Sequence, residues 1–245
     1  MIFFKPKKIN PLDFFINDFI DIHSHLLPGI DDGAKDLDTS IALILKMQSY
    51  GIKNFITTPH VLGDLYPNTP KIINNKLEEL KNELKNRNIK DINIRAAAEY
   101  MMDENFSNLL QNKDLLTLKD NYILVEMSYL SAPINLFDIL FEIQLKGYKP
   151  VLAHPERYLF YHNNMNTYNK LKTSGCLFQL NLLSLTEHYG KNVQKISNKL
   201  LDQNMYDFVG TDTHHIHHLN TLKNICTKKT LKKIEHLLIN NKKFI

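Results

Sequence analysis

Cysteine is scarce in this 245-residue chain: Cys176 and Cys226 are the only two, and they form no C-x-x-C pair. That argues against a disulfide-built scaffold or a thiolate zinc site, and it suits a reducing compartment. Arginine is nearly as rare. Arg87, Arg95 and Arg157 are the full set, so the formal net charge of +4 rests on lysines spread along the chain. A nucleic-acid surface wants a concentrated basic stripe, and no nucleic-acid partner is expected. Long apolar runs are missing too. The opening segment, Met1 to Phe19, interleaves Phe and Ile with Lys5, Lys7, Lys8, Asp13 and Asp18. It falls short of the ~20 apolar residues of a membrane span and lacks the cleavage pattern of a secretion signal. Residues 1–18 therefore read as a surface extension on a cytoplasmic protein, with Phe3, Phe4 and the lysines also fitting a peripheral membrane contact. No Gly/Ser-rich linker divides the chain, so 1–245 reads as one domain. The sequence carries no signal for oligomeric state.

What is present is a core and a recurring unit. Apolar residues make up 43% of the chain, enough to bury a substantial interior. Short apolar runs alternate with amphipathic ones. The strand candidates are residues 19–26, 54–60, 93–100, 122–128, 150–155, 177–182 and 207–213. Several are near-continuous apolar runs, as strands covered on both faces require. Helical periodicity appears between them: Leu37, Ile41, Ile44 and Leu45 before Gly51, then Ile73, Leu77, Leu80 and Leu84. Residues 134–146, stopping at Gly147, and 193–204 and 231–240 complete the set. About seven strands alternating with helices argue for a parallel α/β sheet. No G-x-G-x-x-G follows the first strand, which favours a closed or nearly closed barrel over a dinucleotide-binding open sheet.

One pattern goes beyond propensity. Nearly every strand candidate ends in a metal-ligand type: His23 and His25, His60, Glu99, Glu126, His154, then Asp212 and His214. In a parallel α/β barrel the carboxyl ends of the strands converge on one rim. Residues two apart on a strand face the same way, so His23 and His25 form one pair and Asp212 and His214 another. A lone His or Glu near a strand end is usually a satisfied polar residue. Independent core residues, however, have no reason to choose the same end of six strands. Glu126, inside Leu124-Val-Glu-Met127, needs a partner or a metal to be buried there. Imidazole and carboxylate without thiolate suit manganese, iron or zinc, and so many ligands imply more than one ion. Such a site generates hydroxide at neutral pH and clamps the attacking and leaving oxygens of a phosphate ester.

The segment Asp21-Ile-His-Ser-His-Leu-Leu-Pro-Gly-Ile-Asp-Asp-Gly-Ala-Lys35 resembles the opening of the manganese-dependent tyrosine phosphatases found with bacterial capsule and exopolysaccharide genes. These are members of the polymerase-and-histidinol-phosphatase (PHP) superfamily. The resemblance continues through Thr57-Thr-Pro-His60, Ala98-Glu-Tyr100, Val125-Glu126, Ala153-His-Pro-Glu-Arg-Tyr158 and Thr211-Asp-Thr-His214, spanning Phe19 to about Asn220. It implies a distorted TIM-like (β/α)7 barrel of the PHP type and three divalent metal ions, manganese first, with iron or zinc as alternatives. Carried over by motif, the first metal takes His23, His25, Glu99 and Asp212. The second shares Glu99 and adds Glu126 and His154. The third takes Asp32, His60 and His214. Asp32 enters through the resemblance alone, since an acidic pair beside Gly33 otherwise reads as a cap for the next helix. Arg157 matches the family's phosphate-binding arginine and suits a dianionic group. The sequence departs from the family where a second arginine often follows the Asp-x-His motif. His215, Ile216, His217, His218 and Leu219 stand there instead.

The resemblance implies hydrolysis of phosphotyrosine on a protein, such as the tail of a bacterial tyrosine kinase that controls capsule or exopolysaccharide synthesis. His154, Arg157 and Asp212 would be catalytic. Another PHP phosphoesterase, acting on histidinol phosphate, another small molecule or a phosphodiester, would use the same cluster. A non-catalytic phosphotyrosine-binding regulator is the rival from another class. A cysteine phosphatase needs C-x5-R, and the residues six after Cys176 and Cys226 are Leu182 and Lys232. The loop Leu62 to Pro70 fits a substrate lid, with Tyr66 as a stacking residue or a packed anchor. Tyr100 and Tyr158 carry the same two readings.

Overall fold

The computed structural model describes residues 7–15 and 18–245. Among the described residues, nine short strands alternate with helices in an α/β fold. The strands are β1 Ile20–Asp21, β2 Asn54–Thr57, β3 His60–Val61, β4 Asn93–Ala96, β5 Glu99–Met101, β6 Tyr122–Glu126, β7 Lys149–Ala153, β8 Leu177–Asn181 and β9 Phe208–Gly210. The α-helices are α1 Pro11–Phe14, α2 Leu37–Gln48, α3 Pro70–Asn86, α4 Glu104–Asn112, α5 Leu136–Leu145, α6 Met165–Thr173, α7 Lys191–Asp202, α8 Ile216–Leu222 and α9 Lys228–Asn240. The strands form two sheets, ordered β1-β2-β4 and β3-β5-β6-β7-β8-β9. Every paired register is parallel.

Two expected strands are each split in two. The run 54–60 breaks after Thr57 because Pro59 has no N–H for the ladder. Thr58 N turns instead to Ser24 O at 2.7 Å, and the chain re-enters the other sheet at His60. Its neighbour 93–100 breaks alongside it, between Ala96 and Glu99. The outer edges of the array also meet. Ser24 bridges Thr213 in parallel, Asp212 N donates to His23 O at 2.8 Å, and His25 N donates to Thr213 O at 2.9 Å.

Helix positions follow local chemistry. The Thr69 hydroxyl caps α3 by accepting from Ile72 N, Pro70 fills the first turn, and Ile73, Leu77, Leu80 and Leu84 are buried. In α2 the buried stripe is shifted from the expected one: Leu43 and Met47 are buried with Ile41 and Ile44, while Leu45 is exposed. Ile134 lies outside α5 and is fully exposed. Among the described residues, no helix is long and apolar enough to cross a membrane. Among the described residues of 1–18, the surface-extension reading needs correction at Phe14 and Phe15. Phe14 and Phe15 are buried, and Lys8 pairs with Thr227, because α1 lays an aromatic edge onto the helical layer. Phe3 and Phe4, and any membrane contact they make, lie outside the described residues.

The core has two parts. The larger fills the space between strands and helices. A smaller cluster, which includes Ile20, Ile56, Ala97, Leu124, Val151 and Phe208, lies on the other strand face, and Phe244 packs edge-on against Tyr122 and Phe208. Alternate residues of a strand share a face. Glu126 therefore follows Leu124 as the next step along that face of β6, and Glu99 opens β5 after the break that follows Ala96. Those faces carry the polar cluster described next.

Candidate metal centre

The nine residues expected as metal ligands are brought together: Glu126 closes β6, His60 and Glu99 open β3 and β5, His23, His25, His154, Asp212 and His214 follow the ends of β1, β7 and β9, and Asp32 comes from the loop before α2. Four groups hold ligand atoms within 4.8 Å of one another: His25-Asp32-His60-His214, His23-His154-Asp212, His23-His25-Glu99 and His60-Glu99-Glu126. Shared members make them one continuous cluster. Backbone strain helps assemble it. His154 has φ 36 and Asp212 φ 49, a left-handed conformation that costs a non-glycine residue of order 1–3 kcal/mol and concentrates at functional sites. The strand face that carries Ala153 would carry His154 on the opposite side. The left-handed kink delivers its imidazole to Glu99, Nε2 to Oε1 at 3.0 Å.

Supporting hydrogen bonds fix which imidazole nitrogen is bare. His23 Nδ1 donates to Gln179 Oε1 at 2.8 Å, and Gln179 Nε2 is itself committed to Leu180 O. His25 Nδ1 donates to Asp31 Oδ2 at 2.8 Å, and His214 Nδ1 donates to Asp212 O at 3.0 Å. In the neutral ring, each Nε2 is then a lone pair aimed inward, as in metal sites whose supporting partners set the tautomer. His23 Nε2 and His25 Nε2 lie 3.4 Å apart. Both face Glu99 Oε2, at 3.1 and 3.5 Å, and His60 Nδ1 faces the same oxygen at 3.2 Å. Both also approach Asp212 Oδ1 at 3.4 Å. Asp32 Oδ1 lies 3.3 Å from His214 Nε2 and 3.5 Å from His60 Nε2. His60 Nδ1 approaches Glu126 Oε1 at 2.8 Å, so the His60 ring bridges the Asp32 and Glu126 ends.

These contacts test whether metal fits. Among the described residues, Glu99 Oε2 and His154 Nδ1 are buried without a hydrogen-bond partner. Glu99, Glu126 and Asp212 are almost wholly buried. Several carboxylates against one guanidinium demand further positive charge, since buried charge is costly unless paired. Without metal, protons fill that role. Burial disfavours a charged imidazole, yet the carboxylates Glu99 and Glu126 lift His60 to about 9, and His23 and His25 are likewise raised. Burial and the neighbouring Glu99 push Glu126 upward. Burial, with the Arg157 charge, holds His154 down at about 4, so its imidazole is neutral and available as a ligand. The donor set is nitrogen and oxygen only, because Cys176 and Cys226 are both buried and belong to none of the four groups. The residues fit divalent ions of the manganese, iron or zinc type.

Arg157 stands at the rim. Its Nη1 donates to Asp212 Oδ2 at 2.8 Å, and its guanidinium lies 4.6 Å from the Tyr129 ring centroid and 4.2 Å from that of Tyr189. The carboxylate it pairs with is buried. Tyr100 and Tyr158 are anchors: Tyr100 Oη accepts from Leu116 N, and Tyr158 Oη accepts from Met127 N and donates to Ala153 O. Tyr66 stacks on His60 at 5.7 Å. His218 is buried, with Nδ1 3.2 Å from Asp212 O, and braces the Asp-x-His segment, whereas His217 is exposed.

Sequence reasoning missed the supporting residues. Asp31 was visible as half of an acidic pair, but Gln179, in an apolar strand, gave no spacing signal. Asn181, whose Nδ2 donates to Asp212 Oδ2 at 2.7 Å, gave none either. Glycines permit the close approach. A Cβ on Gly33 would lie 2.3 Å from His25 O, and one on Gly210 would lie 2.5 Å from His23 Cβ.

Fold and cluster together define a parallel α/β protein with a buried imidazole–carboxylate cluster that could hold metal. Comparison with known proteins agrees. The family model described as capsular polysaccharide synthesis, CpsB/CapC, matches residues 19–244, and the chain belongs to that family. It is 31% identical over 198 residues to the putative tyrosine-protein phosphatase CapC of Staphylococcus aureus, covering 80% of this chain and 77% of that one. It is 32% identical over 198 residues to the tyrosine-protein phosphatase YwqE of Bacillus subtilis, covering 80% and 78%. A solved structure from work on YwqE of Bacillus subtilis and CpsB of Streptococcus pneumoniae, called unique metal-dependent tyrosine phosphatases, superposes with a TM-score of 0.76. It shares 30% identity and covers 90% of this chain and 94% of that one.

Proposed function

We propose that this chain is a metal-dependent phosphomonoesterase that hydrolyses phosphotyrosine on proteins. The observation that carries it is the convergence of His23 Nε2, His25 Nε2 and His60 Nδ1 on the unpartnered Glu99 Oε2. The names of the relatives supply the substrate class. The partition that the family resemblance implies is retained: His23, His25, Glu99 and Asp212 for a first ion, Glu99, Glu126 and His154 for a second, and Asp32, His60 and His214 for a third. Manganese is the first candidate. The strand order, with the Ser24–Thr213 bridge between its outer edges, supports the distorted seven-unit barrel, built as one domain. The natural substrate is a phosphotyrosine protein such as a tyrosine kinase tail acting in capsule synthesis, and the chain works in the cytoplasm.

Divalent ions held there would make water a nucleophile at neutral pH and polarise the phosphoryl oxygens. The chain's own groups do the positioning. Asp212 takes one donor of Arg157, and Tyr129 and Tyr189 pin the guanidinium plane, so its remaining donors are presented to a dianionic phosphate in fixed geometry. Gln179 and Asp31 hold the inward tautomers of His23 and His25. Asn181 and Arg157 hold Asp212 Oδ2, turning its Oδ1 to the two histidines.

Phosphate release from a phosphotyrosyl peptide, histidinol phosphate and single-stranded DNA tests the reading. The peptide should be turned over far faster than the other two. His154→Ala and Asp212→Ala should lose both activity and bound metal. Activity that survives either substitution with normal metal content contradicts the assignment.

A further inference from the structure

A cavity of about 600 Å³ opens directly off the cluster. Its inner end is Asp32, His60 and Glu126, and its walls carry Leu62, Leu65, Tyr66, Met101, Leu130 and Pro133. Among the described residues that line it there is no Lys or Arg, and the carboxylate beyond the cluster is Asp103. Tyr129 links it to the rim arginine, for it lines the cavity and packs against the Arg157 guanidinium. A phosphate seated between the cluster and Arg157 therefore leads the rest of its substrate into an apolar, base-free cleft. Cavities of ~300–1,000 Å³ take drug-sized ligands, more than one phenyl phosphate, so room remains for the neighbours of the phosphorylated residue. Leu65 is 67% exposed and Leu130 91% exposed at the outer wall. Each stands to be covered by an apolar side chain. An acidic side chain there would meet Asp103 and no base.

We propose that this cleft selects phosphotyrosine sites flanked by apolar residues and disfavours sites flanked by acidic ones, with Leu65 and Leu130 as specificity-determining residues. The proposal rests on the phosphotyrosine reading above.

The experiment uses the manganese-loaded full chain. Phosphotyrosyl peptides carrying Leu or Phe beside the phosphotyrosine are compared with peptides carrying Asp or Glu there, and para-nitrophenyl phosphate serves as a substrate without flanks. The apolar peptide should have a kcat/KM about tenfold or more above the acidic one, the low end of what covering a leucine-sized side chain supplies. Leu65→Ser and Leu130→Ser should raise KM for the apolar peptide, leave kcat in place and leave para-nitrophenyl phosphate turnover unchanged. The two leucines are exposed enough that folding should survive. Equal rates for the two peptides, preference for the acidic one, or no response to either substitution would overturn the proposal. The same peptides bearing a phosphonate in place of the phosphate, read by fluorescence anisotropy, give the comparison without turnover. If no phosphate ester is hydrolysed while the apolar phosphonate peptide binds more tightly, the phosphatase reading fails and the cleft's selectivity stands.

Discussion

Asp31 lies outside the expected ligand set, yet it touches two members of that set, His25 and His60. Its Oδ2 accepts from His25 Nδ1 at 2.8 Å and from His60 N at 3.2 Å, and its Oδ1 accepts from Gly33 N at 3.0 Å. Asp31→Ala removes both acceptor oxygens and with them all three hydrogen bonds. The bond from His25 is charge-assisted and buried, and it holds the tautomer whose Nε2 faces the cluster. Losing such a partner lowers metal affinity by about 10–100-fold, or about 1.4–2.8 kcal/mol. Asp31→Asn keeps an acceptor oxygen without the charge and should fall between parent and Ala variant. The assay is competition for manganese against a chromophoric chelator, with thermal melting as the check on folding. Saturating metal should restore most of the activity, because no ligand has been removed. If the folded Ala variant binds metal within about twofold of the parent, Asp31 is not positioning His25 and the tautomer reasoning fails.

Gly33→Ala should be destabilising by about 1–3 kcal/mol, because the new Cβ would sit 2.3 Å from the His25 carbonyl oxygen; an unchanged melting temperature would contradict this. Burial pushes the thiols of Cys176 and Cys226 up to about 12. Iodoacetamide at pH 8 should therefore modify neither in the native protein and leave turnover intact, and rapid inactivation would point to cysteine chemistry. Burial also raises the Glu156 carboxyl to about 7 from 4.5, between Asn181 N and Tyr206 Oη. The folded state thus holds that proton more tightly than the unfolded one. Stability should be full below pH ~4.5 and fall by up to about 3 kcal/mol as pH rises to about 7. Glu156→Gln should remove that slope, so its melting temperature should gain on the parent between pH 5 and 8.

Much of the fold is legible in the sequence because strands covered on both faces must be apolar runs, and these runs do form the strands from Ile20 to Gly210. The polar residues that close them stand out against that background, which is what marks His23, His25, His60, Glu99, Glu126, His154, Asp212 and His214 as ligand candidates. What escapes has physical causes. In the run 54–60 only Phe55 and Ile56 are strongly apolar, so hydrophobicity alone does not mark the switch of sheet at Pro59. Helices α4, α6 and α8 span nine residues or fewer, too short for a clear period. Phe14 and Phe15 lie in a short mixed stretch between Asp13 and Asp18 that shows no clear period, and both are buried. Gln179 and Asn181 act through single hydrogen bonds to residues far along the chain, and nothing local marks them. His154 does reach the cluster, but its route there depends on a left-handed φ that the sequence Ala153-His-Pro155 does not announce.

The most direct test strips the chain of metal with a chelator, exchanges the chelator away, and follows phosphate release from a phosphotyrosyl peptide as manganese is returned. The account predicts no turnover without metal and full recovery on its return. Turnover by the metal-free chain, or none when manganese saturates it, would contradict the account.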